Sequence, residues 1–473
     1  MVNVVNLIGA AVSAPTGVWE TILNWLESGI INYGWVIIVF TILIKLCLSP
    51  LDLLMKFNSK KSSLVQQKLA PQIARINQKY QNDKNTAQMQ TNALYKKEGY
   101  NVFVSCILMI VNMAITMTVF FTLFSSLREM SAYKAINQYS AIQDTYITTL
   151  ANETKPKFIT ALDSYEFVYQ TEYEKNEDGT VNKDENGKPI ITITSFNRIS
   201  NPRYEGYKTK FEGDPAVEGD VGIFENMYSL EGTLTEEQVQ FLYSTFVVFD
   251  ETEKTGTSLA SLYEAVQISS ESAAVEATKE TWNKVKDDWL WVGNIWVADN
   301  YKSPLPSYDD LLSMAKSSKN NEYQKYVQSI DKTLYNNVTS SVSKSLDRWN
   351  GYFILAILAG VTSFLSQYIS ELTNKSKNKQ VNKMVDNANP NNNATMKIMK
   401  FVLPAMMVVF VITSSAAFSL YIVISSIISM AISAITSLIV NACYKKKEQE
   451  VMEFLEKEVA RSIKKSKRQE GGK

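Results

Sequence analysis

The chain has 473 residues, with 48 basic and 48 acidic side chains, three cysteines and no histidine. Without an imidazole there is no Ser-His-Asp triad, no Cys-His dyad and no HExxH zinc site. Cys47, Cys106 and Cys443 sit in or beside apolar runs and make neither a disulfide framework nor a CxxC metal site, so the expectation is a protein that is not an enzyme and holds no cofactor and no metal.

Charge and apolarity are segregated along the chain. Residues 1–30 open with a small apolar stretch that lacks the basic start of a secretory signal, and a cleaved leader over 1–15 is the alternative. Val18, Ile22, Leu23, Trp25, Leu26 and Ile30 then recur at near-helical spacing, which predicts an amphipathic helix on the outer membrane surface. Residues 31–54 form a first crossing whose single basic residue is Lys45. Residues 55–100 are polar. In them Leu64, Leu69, Ile73, Ile76 and Tyr80 make a helical stripe, Gln81-Asn82-Asp83-Lys84-Asn85 reads as a turn, and a return helix ends at Gly99. That pattern predicts an antiparallel helical hairpin.

Residues 101–127 are a second, uncharged crossing. The insertion at 128–348 carries Tyr/Thr/Ile-rich runs over 164–212, broken by turn sequences such as Asn176-Glu177-Asp178-Gly179, and helical patterns over 234–248 and 257–287. A mixed α/β domain is expected there, with acidic pairs such as Asp309-Asp310 as solvated faces. A third crossing covers 349–371 and a polar loop 372–397. Residues 401–444 then hold no Asp, Glu, Lys or Arg. As helix they would span about 66 Å against a ~30 Å hydrocarbon core, so they read as two crossings, 398–414 and 417–443, turning at Thr413-Ser414-Ser415. The tail 444–473 ends in Arg461, Lys464, Lys465, Lys467 and Arg468.

Loop charge orients this membrane α-helical fold. Residues 51–100 carry 9 basic against 3 acidic side chains, 371–400 carry 6 against 2, and the tail 10 against 6, whereas 126–348 carry 22 against 35. Short basic loops stay in the cytoplasm. The expectation is therefore five transmembrane helices with the N-terminus outside, the C-terminus in the cytoplasm, a cytoplasmic hairpin and a large extracellular insertion.

The ordered motifs resemble the YidC/Oxa-type membrane protein insertases. They are Asn32-Tyr33-Gly34-Trp35 entering the first crossing, Lys45 ahead of Pro50-Leu51, Leu69-Ala70-Pro71 and Gln78-Lys79-Tyr80 in the hairpin, and Leu94-Tyr95-Lys96 with Gly99, Asn101 and Cys106 after its turn. Trp289-Leu290-Trp291-Val292 through Asp299, Leu358-Ala359-Gly360, Pro404 and Leu420-Tyr421 complete the series over about 230 residues. The chain departs from the family at Lys45, where arginine is usual, at Asn101-Val102 in place of Asn-Pro, and at Ser415-Ala416-Ala417 in place of Pro-x-Gly. The resemblance implies a five-helix insertase core in the plasma membrane of a bacterium and marks Pro71, Tyr80, Leu94, Tyr95, Gly99 and Asn101 as the hairpin motif. It also makes Lys45 the groove cation.

Burying a lysine in a crossing costs about 2.5–3.5 kcal/mol on insertion scales, unless it snorkels to the headgroups. Polar stripes accompany it: Ser105, Asn112 and Thr116 on one helical face, Ser363, Ser366, Gln367 and Ser370 on another, and Ser419, Ser426, Ser433 and Asn441 on a third. Small hydroxyl residues also serve plain helix packing, whereas the amides of Asn112 and Gln367 need partners in hydrocarbon. With Lys45 and Tyr421, Ser105, Asn112, Thr116, Ser363, Gln367 and Ser426 are the expected lining of a polar groove. There the end of a client segment is held while its apolar helix leaves into lipid.

No GxxxxGK[ST] loop is present to use nucleotide. The expected partners are nascent membrane proteins and the lipid bilayer, with a ribosome at the basic tail and a Sec-type translocon beside them, and no specific DNA. Anionic lipid is the alternative for the tail. A membrane-tethered receptor acting through the external domain and a transporter are the alternative functions. The latter needs charged or broken helices where only Lys45 stands.

Overall fold

The computed structural model describes residues 12–30, 32–99, 102–185, 190–210, 221–230, 238, 242, 246–250, 255–346, 349–374, 402 and 404–470. Along the chain these form α1 (Val18–Glu27), α2 (Tyr33–Lys79), α3 (Lys84–Lys97), α4 (Val102–Asp163), β1 (Phe167–Tyr173), β2 (Ile191–Ser200), α5 (Tyr207–Lys210), α6 (Val221–Ser229), β3 (Phe246–Asp250) and β4 (Thr255–Ser258). Then follow α7 (Leu259–Val285), α8 (Tyr308–Ser317), α9 (Asn321–Ser329), α10 (Lys332–Leu346), α11 (Ile354–Asn374), α12 (Pro404–Thr413) and α13 (Ala416–Glu470). The chain gathers into two compact units.

The first unit takes in residues 14–135, 287–324 and 348–473. Among the described residues three helices, Tyr33–Lys79, Ile107–Asp163 and Ala416–Glu458, are long and apolar enough to cross a membrane, and Ile354–Ile369 and Pro404–Thr413 are shorter apolar helices. Their shared core includes Val36, Ile37 and Phe40 of α2, Leu123 and Leu127 of α4, Leu355 and Ala359 of α11, and Phe418 and Tyr421 of α13. Phe120 and Phe124 pack against Phe410 and Phe418 with ring centroids 4.7–6.1 Å apart. Helix α1 joins this core through Leu23 and Leu26, leaving Val18 and Trp25 exposed, and Trp19 donates to Thr122 Oγ1 at 3.1 Å. The amphipathic pattern of 18–30 thus buries one edge against protein.

Local sequence explains where the helices start and stop. Asn32 caps α2 by accepting from Gly34 N at 3.0 Å, and Asp83 caps α3 by accepting from Thr86 N at 3.0 Å. The turn of the hairpin is shorter than expected, because Lys84 and Asn85 already belong to α3. Gly99, at φ +67, takes the left-handed conformation that ends α3. At the other predicted turn, α12 stops at Thr413 and α13 starts at Ala416. The tail does not begin a new segment at 444. It continues α13 as one helix of 55 residues.

The second unit is built mainly from residues 136–286 and 325–347. Among the described residues four strands form an antiparallel sheet in the order β2-β1-β3-β4, with a bulge in β1 between Gln170 and Glu172. Phe158, Leu162, Val168, Phe224, Phe246, Val248, Leu259 and Tyr263 share the core beneath it. The helix expected over 257–287 is α7. The helix expected over 234–248 is not continuous, since Phe246–Asp250 is strand β3. Its run Phe246-Val247-Val248-Phe249 is β-branched and aromatic, and strand pairing on both sides overrides the helical spacing. Asn201 is fully buried, donating to the carbonyls of Leu162 and Tyr165 and accepting from Tyr228 Oη at 2.9 Å.

Candidate functional site

The polar seam of the bundle begins at Lys45. Helix α2 presents Lys45, Asp52 and Lys56 at intervals of seven and four residues, which places them on one face, and Asp52 interacts electrostatically with both lysines. Lys56 Nζ donates to Ser433 Oγ of α13 at 3.3 Å. Further along, Lys60 pairs with Glu448 and Arg75 with Glu458, each at 3.0 Å. Helices α2 and α13 therefore run side by side in the same direction well past the apolar stretch. Lys45 itself is half-buried.

The remaining predicted groove residues divide. Ser363 of α11 and Ser426 of α13 are brought together, with hydroxyl oxygens 3.5 Å apart. Tyr421, buried, shares a side-chain hydrogen bond with Ser425 one turn along α13. Gln367 and Asn112 are half-buried. Thr116 is exposed and donates to the Asn112 carbonyl at 2.8 Å, so its hydroxyl serves its own helix. Ser105 lies in α4, but its side chain is outside the described residues, as is Asn101 altogether.

In the hairpin, Tyr95 and Leu94 of α3 pack on Leu69 and Ile73 of α2. Lys68 pairs with Glu98 beside Gly99. Pro71 lies inside α2, and Tyr80 caps its end with Lys79 Nζ 5.2 Å from the ring centroid. The motif residues on α3 are thus the ones that hold the hairpin shut.

Sequence reading missed what the aromatic motif 287–299 does. It bonds the starts of three helices. Asn32 Nδ2 donates to the Asp288 carbonyl at 2.8 Å. The Asp299 carboxylate accepts from Tyr352 N at 2.8 Å and Leu355 N at 2.7 Å, capping α11. The carbonyls of Val297 and Ile295 accept from Ala416 N and Ala417 N at 2.9 and 2.7 Å, capping α13. Gly34 is required here, because a Cβ would lie 2.1 Å from Trp289 Cδ1. Tyr33 meets Trp296 edge-on at 4.5 Å. Asn350 adds four bonds to the same loop, accepting from Asn294 N and donating to the carbonyls of Asn294, Val297 and Ala298.

Beside this plate lies a half-buried charge cluster. Burial holds the Asp287 carboxyl above the usual carboxylate range, opposed by the Trp296 indole that donates to it and by the Lys134 ammonium. Lys134 also pairs with Glu27 at 2.6 Å and sits 5.0 Å over the Tyr33 ring.

These features define a class: a helical membrane protein with several helices apolar enough to span. Among the described residues no group of three or more Cys, Asp or Glu is placed to hold a metal. A family profile described as 60Kd inner membrane protein matches residues 25–197 and 261–445, more than half of the chain. The chain belongs to this family, that of the YidC/Oxa-type insertases.

Curated relatives are named membrane protein insertase YidC. The chain is similar to that of Chlorobaculum parvum, 33% identical over 107 residues, which cover 23% of this chain and 18% of the relative. It is 40% identical over 84 residues to the one from Leptospira interrogans, covering 18% and 13%, and 35% identical over 99 residues to that of Fusobacterium nucleatum, covering 21% and 46%. The matched stretches therefore span less than half the length of each of these relatives. No solved structure matches.

Proposed function

We propose that the protein is a membrane protein insertase that passes client segments from the cytoplasm into the bilayer through a polar groove lined by α2, α4, α11 and α13. The observation that carries this reading is a half-buried lysine on the face of α2 that continues to the Lys56–Ser433 contact. In the same unit Ser363 of α11 and Ser426 of α13 bring their hydroxyls together, and Tyr421 is buried in the same helix as Ser426. A cation, a phenol and hydroxyls distributed along the bundle give the hydrophilic end of a client somewhere to stay hydrated while its apolar part enters lipid, and that burial, at about 25 cal/mol per Å², drives the step.

In the same reading α2, the first part of α4, α11, α12 with the residues before it, and the first half of α13 are five crossings. The N-terminus and the α/β insertion lie outside, and the hairpin, the 372–397 loop and the C-terminus lie in the cytoplasm, as loop charge requires. The basic end of α13 is the proposed ribosome contact, and a Sec-type translocon a further partner. An RNA contact there would weaken steeply with salt.

The test is insertion of two matched clients, with acidic or neutral translocated tails, at equal levels of each Lys45 variant. Lys45→Arg should retain activity because charge is kept. Lys45→Ala should impair the acidic client more than the neutral one, and Lys45→Glu should be worst for the acidic client. Equal loss with both clients would reject the electrostatic role and leave Lys45 as a snorkelling residue.

A further inference from the structure

Where α4 leaves its apolar stretch and α12 turns into α13, a cavity of about 550 Å³ opens, lined among others by Phe124, Arg128, Trp296, Lys302, Asp310 and Phe410. That volume suits a small-molecule headgroup. Lys302 is already held by Asp310 at 3.1 and 3.2 Å, while the Arg128 guanidinium lies 5.2 Å from the Phe124 ring centroid. The three charges sum to +1, which matches one phosphodiester and not a doubly charged phosphate. Three lining hydroxyls are already spent as donors: Thr413 and Ser414 give their protons to the Phe410 carbonyl, and Ser131 to that of Leu127. Recognition of an anion therefore falls on Arg128, with Lys302 behind it.

The apolar side of the cavity does not close. Ile412 lines it and is exposed, and Val409 and Phe121, a turn away on the same two helices, are 66% and 58% exposed. An apolar surface that runs from a cationic cavity along membrane-crossing helices suits a molecule with one charge and long hydrocarbon chains. A basic side chain at the end of the hydrocarbon zone reaches lipid headgroups, and by the loop-charge orientation this end is the outer one.

We propose that this cavity binds the phosphodiester of an anionic phospholipid, with Arg128 as its charge partner and the acyl chains lying over the exposed faces of α4 and α12. The inference rests on the reading that these helices cross the bilayer. It does not rest on the Lys45 groove, so its failure leaves the insertion assay above untouched.

The experiment is native mass spectrometry of the full chain in detergent, titrated separately with phosphatidylglycerol and phosphatidylcholine. Phosphatidylglycerol should bind more tightly. Arg128→Gln should lower its affinity about fivefold, the effect of losing one basic contact near anionic lipid. Ser313→Trp, an exposed lining position filled from the solvent side, should lower it as much with Arg128 in place, and it decides the matter if Arg128→Gln does not fold. Lys284→Gln, in the second unit, should change nothing. Equal binding of the two lipids, unchanged affinity in the Arg128 or Ser313 variant, or displacement by millimolar inorganic phosphate or by an acidic peptide would each overturn the proposal.

Discussion

Asp299 does for α11 what Asn32 does for α2, but with both carboxylate oxygens and from a site that is 5% exposed. A capping side chain replaced by alanine costs about 0.5–2 kcal/mol, and leaving two buried N–H groups without an acceptor belongs at the upper end of that range. Asp299→Ala should therefore lower the thermal unfolding midpoint of the purified protein by several degrees. Asp299→Asn, which keeps one acceptor oxygen, should recover part of the loss. The exposed neighbour Asp309, changed to Ala, should stay within about 0.5 kcal/mol of the parent. If Asp299→Ala is as benign as Asp309→Ala, the plate does not hold the helix start.

The sequence made 289–299 recognisable as a motif, because tryptophans and an aspartate are visible in it. What those residues hold was not visible. The partners are backbone N–H groups of residues 352, 355, 416 and 417, which every sequence supplies equally.

The hairpin shows the same division at the scale of an element. Its stripe, its turn and its terminal glycine were legible because each is a local pattern: Leu64, Leu69 and Ile73 are buried where the spacing put them, and Gly99 is left-handed. The packing of Tyr95 on Leu69 and Ile73 makes the base of the hairpin its cohesive part, while Asn82, Asp83 and Lys84 at the tip are exposed. Truncating a buried aromatic costs about 3–5 kcal/mol. Tyr95→Ala should thus open the hairpin to limited proteolysis and reduce insertion, whereas shortening the tip at Asn82-Asp83-Lys84 should be tolerated. Comparable loss from the two changes would refute this division.

The tail escaped a local reading. Its mixed signs look like a solvated segment until Glu448 and Glu458 find Lys60 and Arg75 across the helix pair. A period-based reading sees one helix at a time and cannot supply the register of two. The strand at Phe246–Asp250 was missed for a related reason: a short apolar run fits helix or strand equally until its pairing partners are known.

For the whole molecule, apolarity over long windows made the spanning helices readable, and loop charge alone argues their direction. That direction is testable in a chain freed of Cys47, Cys106 and Cys443. Single cysteines at Asn82, Glu177 and Gln449, all exposed, report on the hairpin, the sheet domain and the end of α13. A membrane-impermeant thiol reagent applied to intact cells should label only Glu177→Cys. Labelling at Asn82→Cys would invert the topology. Asn201 is unsuitable for this purpose, since it is buried and fully bonded.

The continuity of α13 has a mechanical meaning. From Ser426 to Glu458 the helix rises about 48 Å, and over its lower part it is clasped to α2, itself about 70 Å long. Two rods fastened at Lys56, Lys60 and Arg75 resist bending better than either alone, so they act as a gauge. Their length sets the distance between the polar seam in the bundle and the far end of the helix pair. A tilt of either rod at one end must appear at the other as a displacement, which makes the pair a lever as well as a spacer.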